Sequence, residues 1–479
     1  MCALLLLSFV FAQGPDIKVP WEGSTGPSNK KLLDILTLYG LGPKTLEQIK
    51  HRAKFNQDEM VALWRMVERL PTLRSLLIER SVKKTPSFAE LVDQADTFVG
   101  QVHQISGKVI SVTQRDVPKQ HEISKSLKRY FEVRVRLRAN EEVTIVTRGI
   151  PKHFLSHAPE GQAVSSHGLF FKSVLKTDGK AEPLFVAHRF HWLPTQADSA
   201  ANINKDMVVL SSLGFDASLL DHMKSRNRTK GIGPTERECF YQLLSRINQA
   251  SARKPIKAAA SDPNLGTILL KPKSQQGRVM RFTGTLRRIT KVVVDEPDIQ
   301  QRFGIKHYYQ LDVFIPLGKQ TIRLGVREGD PVIRNQFPMT FCITDIPDEL
   351  KKINAKSRAT RAKSLNEQVQ INAVFFKLWK FDSSFMEKFA KKRADGTKPS
   401  QVGPLFIGSN LVHIPRPPAQ NNWVTSWIIG GSGAIVLLVV SLLLFRASKR
   451  DKEVDRKLSR QRFEIEDSES LNDLDVQED

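Results

Sequence analysis

Three groups of residues in this 479-residue chain have types and spacings suited to chemistry. The first is basic. Lys351, Lys352, Lys356, Arg358, Arg361 and Lys363 crowd one stretch, and Lys388, Lys391, Lys392, Arg393 and Lys398 crowd a second. Clustered cations neutralise phosphates, and aromatics such as Phe376 and Trp379 would add stacking on a single strand. We expect Lys351, Lys352, Lys356, Arg358, Arg361, Lys388, Lys391, Lys392 and Arg393 to be the polyanion-binding set. The competing reading is a solvated basic loop, or one that faces anionic lipid headgroups. The second group is histidine. Seven of the 11 histidines lie between His103 and His191, with His153 and His157 four apart and His188 and His191 three apart. A helical i, i+4 pair joined by His188 can hold zinc. However, no Glu follows His153 in the metalloprotease pattern, and Glu160 is the only carboxylate close to the pair. Surface or strand-packing histidines are the expectation, and no metal or cofactor is assigned. The third group is Cys239 and Cys342, which either form one disulfide outside the cytoplasm or stay as buried thiols. No Gly-x-Ser-x-Gly elbow, Walker loop, His-Glu-x-x-His or Ser-x-x-Lys set stands in a fitting context, so no catalytic residue and no enzyme is expected.

The elements that must position these residues come from a comparison of the chain with itself. Gly100-Gln101-Val102 followed by Gly107 matches Gly277-Arg278-Val279 followed by Gly284. Phe170-Phe171-Lys172 matches Phe375-Phe376-Lys377. Pro183-Leu184-Phe185 matches Pro404-Leu405-Phe406, each reaching a proline at the same distance, Pro194 and Pro415. Ahead of each copy, Leu36, Gly40, Leu46 and Ile49 align with Leu210, Gly214, Leu220 and Met223, at helical spacing. The predicted unit is therefore a helical segment followed by a strand-rich segment, present twice. The segments are 30–97 and 98–195 in the first copy, 203–255 and 276–416 in the second. The strand-rich parts read as two strands split by a polar stretch, then a third near Thr144-Ile145 and Thr321-Ile322. An irregular or helical connection follows, then strands carrying the Phe-Phe-Lys and Pro-Leu-Phe triplets. Five strands with an insert after the third resemble an OB fold, a Greek-key barrel, with an SH3-like barrel or a sandwich as alternatives. In an OB fold the connectors between strands one and two and between strands four and five frame the ligand, and residues 388–398 fall on the latter.

Gly40-Leu41-Gly42-Pro43-Lys44-Thr45 resembles the turn of a helix-hairpin-helix DNA-binding motif, where backbone amides meet a phosphate. The second copy lacks the second glycine and has Asp216 there, so a plain corner between helices is the simpler expectation.

The ends fix the expected compartment. Residues 1–12 are almost wholly apolar, with Val10 and Ala12 placed for signal-peptidase cleavage before Gln13. Residues 423–445 carry no charge, begin with Trp423 and Trp427, and are followed by Arg446, Lys449, Arg450 and Lys452. That is the pattern of a transmembrane helix with its C-terminal end inside. The tail, 446–479, is basic up to Arg462 and acidic from Glu464, and is expected to be disordered or a short fraying helix. Formal net charge is +23, which favours polyanionic partners and says nothing of fold.

The expected fold class is thus α+β: two tandem copies of a helical segment and an OB-like five-stranded barrel, then one transmembrane helix. This architecture resembles the uncharacterised bacterial single-span membrane proteins built from duplicated OB-like barrel modules. The resemblance implies architecture and no activity. The function expected is that of a single-pass extracytoplasmic binding or scaffolding protein of the cell envelope. Its partners would be the membrane, an anionic polymer, nucleic acid or lipid headgroups, and other envelope proteins. The alternatives are an extracytoplasmic nucleic-acid or polyanion binder and a histidine-metal-dependent envelope hydrolase.

Overall fold

The computed structural model describes residues 17–18, 32–323, 332–359, 364–381, 401–415 and 423–466. The chain divides into two units, 1–415 and 416–479. The expected signal segment, 1–12, lies outside the described residues.

In the first unit, α1 (Leu32–Thr37), α2 (Pro43–Glu47), α3 (Gln57–Arg69) and α4 (Ser75–Ser81) precede a barrel, with two further short helices, Phe88–Asp93 and Ala95–Phe98, between α4 and the first strand. The barrel strands are β1 (Val102–Asp116), β2 (Arg129–Arg136), β3 (Glu142–Thr147), β4 (Ala163–Leu175) and β5 (Ala181–Trp192). They pair in the order β1-β2-β3-β5-β4, and β4 closes on β1. Only β3 and β5 run parallel. This closure is that of an OB fold, which settles the choice left open by strand count alone.

A second set of helices follows: α5 (Lys205–Ser212), α6 (Leu219–Met223), α7 (Pro234–Ile247), α8 (Arg253–Ala259) and α9 (Leu265–Leu270). Helices thus run past residue 255, where the sequence reading ended this segment. The second barrel comprises β6 (Val279–Val293), β7 (His307–Pro316), β8 (Gln336–Ile343), β9 (Glu367–Phe381) and β10 (Gln401–Ile414). Helix α10 (Pro297–Phe303) lies between β6 and β7, and α11 (Asp348–Ala359) between β8 and β9. The order is again first-second-third-fifth-fourth, closed on the first strand. One expectation fails here. Thr321-Ile322 is not the third barrel strand: among the described residues Ile322–Arg323 pairs only with Val332–Ile333, in a separate two-stranded sheet. Extra residues after Pro316 form that sheet, and their apolar alternation mimics a barrel strand.

Side chains alternate across each barrel wall. Val133, Val135, Val143, Ile145, Phe170 and Phe185 fill the first barrel, while Tyr130, Val146, Phe171 and Leu184 pack outward beneath α1–α4. In the second, Phe282, Phe341, Phe375 and Phe406 point inward; Tyr308, Cys342, Phe376 and Leu405 pack beneath α5–α8.

The Phe-Phe-Lys triplet is explained by a bulge. The register of β4 on β5 shifts between Phe170 and Lys172, and that of β9 on β10 between Phe375 and Lys377. A bulge puts two consecutive residues on one face. Phe171 and Lys172 therefore both face the helices, as do Phe376 and Lys377. Lys172 is fully buried and its Nζ donates to Glu59 Oε2 at 2.6 Å and to the Lys54 carbonyl at 3.2 Å. Lys377, also fully buried, donates to Glu236 Oε1 at 2.7 Å, the Gly231 carbonyl at 2.5 Å and Thr229 Oγ1 at 2.9 Å. Each glutamate sits at the first turn of its helix, α3 or α7, and accepts from the backbone amide of the N-cap residue, Asn56 or Gly233. One buried ion pair thus ties the helices to the fourth strand in each module. Burial pushes the Glu59 carboxyl up, but Lys172 and the amides of Lys50 and Asn56 outweigh it and hold the carboxyl below its ordinary value. At Lys377 burial prevails over Glu236, and the ammonium pKa is lowered.

The repeated glycines have equally local causes. Gly100 and Gly277 have φ of +79° and +78°, and donate to the Phe170 and Phe375 carbonyls. A Cβ at Gly107 would collide with the Arg136 carbonyl, and one at Gly284 with that of Phe314.

The second unit contains α12 (Trp423–Glu466). Its stretch Ser432–Val454 is long and apolar enough to cross a membrane. The helix continues beyond residue 445 to Glu466, into the tail expected to be disordered or a short fraying helix. Residues 446–466 contain neither Gly nor Pro and are rich in Lys, Arg and Glu, which favour helix.

Candidate functional site

In chain order the expected polyanion set falls on α11, at Arg361 just after it, and on the connector between β9 and β10. On α11, Leu350 is buried in the barrel core and turns Lys352 and Lys356 to the surface. Lys351 is not free: its Nζ lies 2.9 Å from Asp345 and 3.0 Å from Asp348, and these carboxylates raise its pKa. The side chain of Arg358, and all of Arg361, Lys388, Lys391, Lys392 and Arg393, lie outside the described residues. The structure thus brings Lys351, Lys352 and Lys356 onto one helix, with Lys351 neutralised.

The connectors that frame an OB ligand are used differently here. Between β1 and β2, Val117 and Leu127 are buried under the first helices, and His121 packs on Trp64 at 4.9 Å. Between β6 and β7, α10 is held by Arg302, whose side chain is 6% exposed. Arg302 donates twice to Glu238 of α7, at 2.9 and 2.6 Å, and once to Glu79 of α4 at 2.9 Å. Arg189 of β5 reaches Glu238 at 3.0 Å. This ionic cluster joins the first module to the second. A second contact lies nearby, where Trp192 donates its amide to Asp216 at 3.0 Å and Lys152 donates its amide to Asp221 at 3.2 Å. The connectors between fourth and fifth strands differ in length. Residues 176–180 form a tight turn, whereas residues 382–400 separate β9 from β10.

The outer surfaces of the second and third strands also differ. On the first barrel, Arg115 pairs with Glu132 at 3.0 Å, Arg134 and Arg136 share Glu142, and Lys176 meets Glu182 at 3.0 Å. The sequence reading missed this ion-pair mesh. Its signal was Arg134-x-Arg136, since alternate residues of a strand share a face. On the second barrel, Arg288 donates to Asp312 at 2.7 Å and Thr340 donates to the same carboxylate at 3.3 Å. Burial raises the Asp312 pKa, opposed by Arg288. Arg287 stands over the Phe314 ring at 5.9 Å, Trp379 and Phe381 lie 5.6 Å apart, and a Cβ at Gly403 would press on Phe381.

The remaining candidates are placed as follows. His153 is stacked between His157 at 4.5 Å and Trp192 at 4.4 Å, and burial lowers its pKa. His188 points to the Leu73 carbonyl and does not join that pair. Among the described residues, no three His, Cys, Asp or Glu side chains are grouped to hold a metal. Cys239 and Cys342 are both buried and unbridged, so the disulfide alternative is not realised, and burial raises both thiol pKa values. At the glycine-rich corner, Gly40 has φ +73° and Gly42 precedes the five-residue α2. The corner is a turn between two short helices.

No family model and no curated protein matches the chain. Loosely similar solved structures include the Plasmodium falciparum SSB in complex with ssDNA, at 8% identity and a TM-score of 0.15, covering 29% of this chain and 94% of that one. The single-stranded DNA binding protein from Thermus aquaticus, at 8% and 0.14, covers 66% and 94%. Aspartyl tRNA synthetase from Entamoeba histolytica, at 12% and 0.17, covers 50% and 51%. The fold assignment rests on strand order and not on these overlaps.

Proposed function

We propose that this chain is a single-span membrane protein whose two-barrel unit lies outside the cytoplasm and binds a polyanion on its second barrel. The observation that carries the binding site is the connector 382–400. In chain order it joins the fourth strand to the fifth, the connector that frames the ligand in an OB fold, and its sequence contains Lys388, Lys391, Lys392, Arg393 and Lys398. The first barrel has only the short turn Lys176-Thr177-Asp178-Gly179-Lys180 at that position, and an outer face already ion-paired. Anchoring is supported by the apolar stretch of α12 and the basic residues that follow it. We further infer that the two modules descend from one duplicated unit, since the lysine lock and its glycines recur at matched places.

The test uses the full chain in nanodiscs of neutral lipid, with single-stranded DNA, an anionic polysaccharide and anionic vesicles as probes. Binding should weaken steeply with salt, because neutralised phosphates release counterions. Absence of binding to all three at low salt removes the polyanion reading and leaves a scaffold. Protease added outside intact cells should remove residues before 423 and spare the tail; the reverse pattern overturns the topology.

A further inference from the structure

The first module holds the second through two elements. At α4, Glu79 accepts from Arg302 at 2.9 Å and Arg80 donates to Gln301. At the end of β5, Trp192 is 3% exposed; its amide donates to Asp216 and its carbonyl accepts from the Ala217 amide, each at 3.0 Å. The second module has counterparts of both. Helix α8 holds in α5–α8 the place that α4 holds in α1–α4, and Asn410, near the end of β10, donates to the Arg253 carbonyl of α8 at 3.0 Å. From there the chain runs on to α12 instead of a third module.

This face is apolar at the strand end and cationic beside it. Val412 is 51% exposed and Ile414 39%. Arg253, Lys254 and Lys257 of α8 are exposed, and Arg281 of β6 donates to the Lys257 carbonyl at 3.3 Å. Among the described residues none of the three α8 cations meets a carboxylate. Asp262 is the only acidic residue between Asn248 and Val294, so no counter-charge is at hand in that stretch. Glu367, next to the residues that pair with the strand end, already lies 3.0 Å from His413. A second copy of the chain is a poor fit. The surface it would offer is the corner of the first module, where Gly42 stands at the place of Asp216 and supplies no carboxylate.

We propose that this face is a second membrane contact, in which Val412 and Ile414 enter the headgroup region and Arg253, Lys254, Lys257 and Arg281 hold anionic lipid. The inference rests on the anchoring of α12 and not on the connector 382–400. Residues 415–422 separate Ile414 from Trp423, and a chain of that length reaches at most about 32 Å, which keeps the strand end close to a bilayer that α12 spans. Aliphatic tips among cations suit an interface, because buried apolar area and attraction to anionic headgroups add together. The tether makes the contact intramolecular, so a weak affinity suffices.

Lysine footprinting on the full chain tests this, in nanodiscs of phosphatidylcholine and in discs with added phosphatidylglycerol. Lys254 and Lys257 should be acetylated about fivefold or more slowly in the anionic discs, the effect of one cation at an anionic surface. Lys44 and Lys119 of the first module should keep their rates. The slowing should vanish at about 1 M salt, where screening shortens to about 3 Å. Val412→Asp with Ile414→Asp should restore the neutral-disc rates; should that variant not fold, Arg253→Glu on exposed α8 should restore them in part. Equal rates in the two discs, or slowing that survives the variants, overturn the proposal. Slowing confined to Lys388, Lys391 and Lys392 assigns the lipid contact to the connector and overturns it too. So does slowing in both discs that grows with the number of chains per disc, which assigns the face to a second copy. A chain that does not enter discs at all is a separate result: it removes the anchoring reading, and this inference with it.

Discussion

The two barrels share a strand order and a lysine lock, yet their outer faces have little in common. Where the first has Arg134 and Arg136 held by Glu142, the second has Asp312 and Phe314, with Arg288 and Arg287 beside them. The first closes its fourth and fifth strands through residues 176–180, the second through 382–400. Residues that close a barrel are constrained from within, by a carbonyl against Gly107 or Gly284 and by a carboxylate against Lys172 or Lys377. Outer-wall residues that no helix covers answer only to solvent or a partner. Two barrels of one strand order can thus keep the same closure and carry different surfaces.

The largest effect should come from the locks. Lys172→Met or Lys377→Met strands a buried glutamate and should cost about 3–5 kcal/mol, read as a lowered denaturant midpoint. Adding Glu59→Leu or Glu236→Leu should recover most of the loss, because a neutral pair leaves no uncompensated charge. A loss at one lock only would break the equivalence of the modules. Next, Gly107→Ala and Gly284→Ala should each cost about 1–3 kcal/mol through overpacking against a backbone carbonyl. Unequal losses would show that one barrel wall yields where the other does not.

Smaller effects sharpen the contrast between the faces. Lys391→Ala, Lys392→Ala and Arg393→Ala together should shift stability by no more than about 0.5 kcal/mol. They should also flatten the log–log salt slope of single-strand binding by about 0.7 for each contact removed. Smallest is the change expected from Arg134→Ala with Arg136→Ala. Half-exposed ion pairs contribute about 0–1 kcal/mol, so melting should barely move and polyanion binding should be unchanged. Loss of binding in that variant would relocate the site to the first barrel.

Much of this architecture was legible in the sequence because repeated local causes leave repeated residues. Phe-Phe-Lys marks a bulge, Gly100 and Gly277 a left-handed turn, and Gly107 and Gly284 a close crossing of strands. Two things were not legible. Glu59 and Glu236 sit among other surface-type residues of α3 and α7, and only the fold brings them to the lysines. The two-stranded sheet of Ile322–Arg323 with Val332–Ile333 has the alternation of a barrel strand, and pattern alone does not say which neighbour a strand will take. The candidate site was legible as charge and not as pairing. Lys351 reads as a free cation until Asp345 and Asp348 are placed beside it.

The lock also bears on the order in which the chain can fold. Glu59 and Lys172 are 113 residues apart, and Glu236 and Lys377 are 141 apart. As the chain emerges from its N-terminus, α3 must wait for most of a barrel before its carboxylate finds a cation. Until then the apolar side of α1–α4 has no wall to cover. Closing so long a loop must precede the contacts that reward it, which makes such topologies slow. Each module should therefore mature only when its fourth strand arrives, and the exposed helical half is the stage at which a chaperone or a protease would meet it.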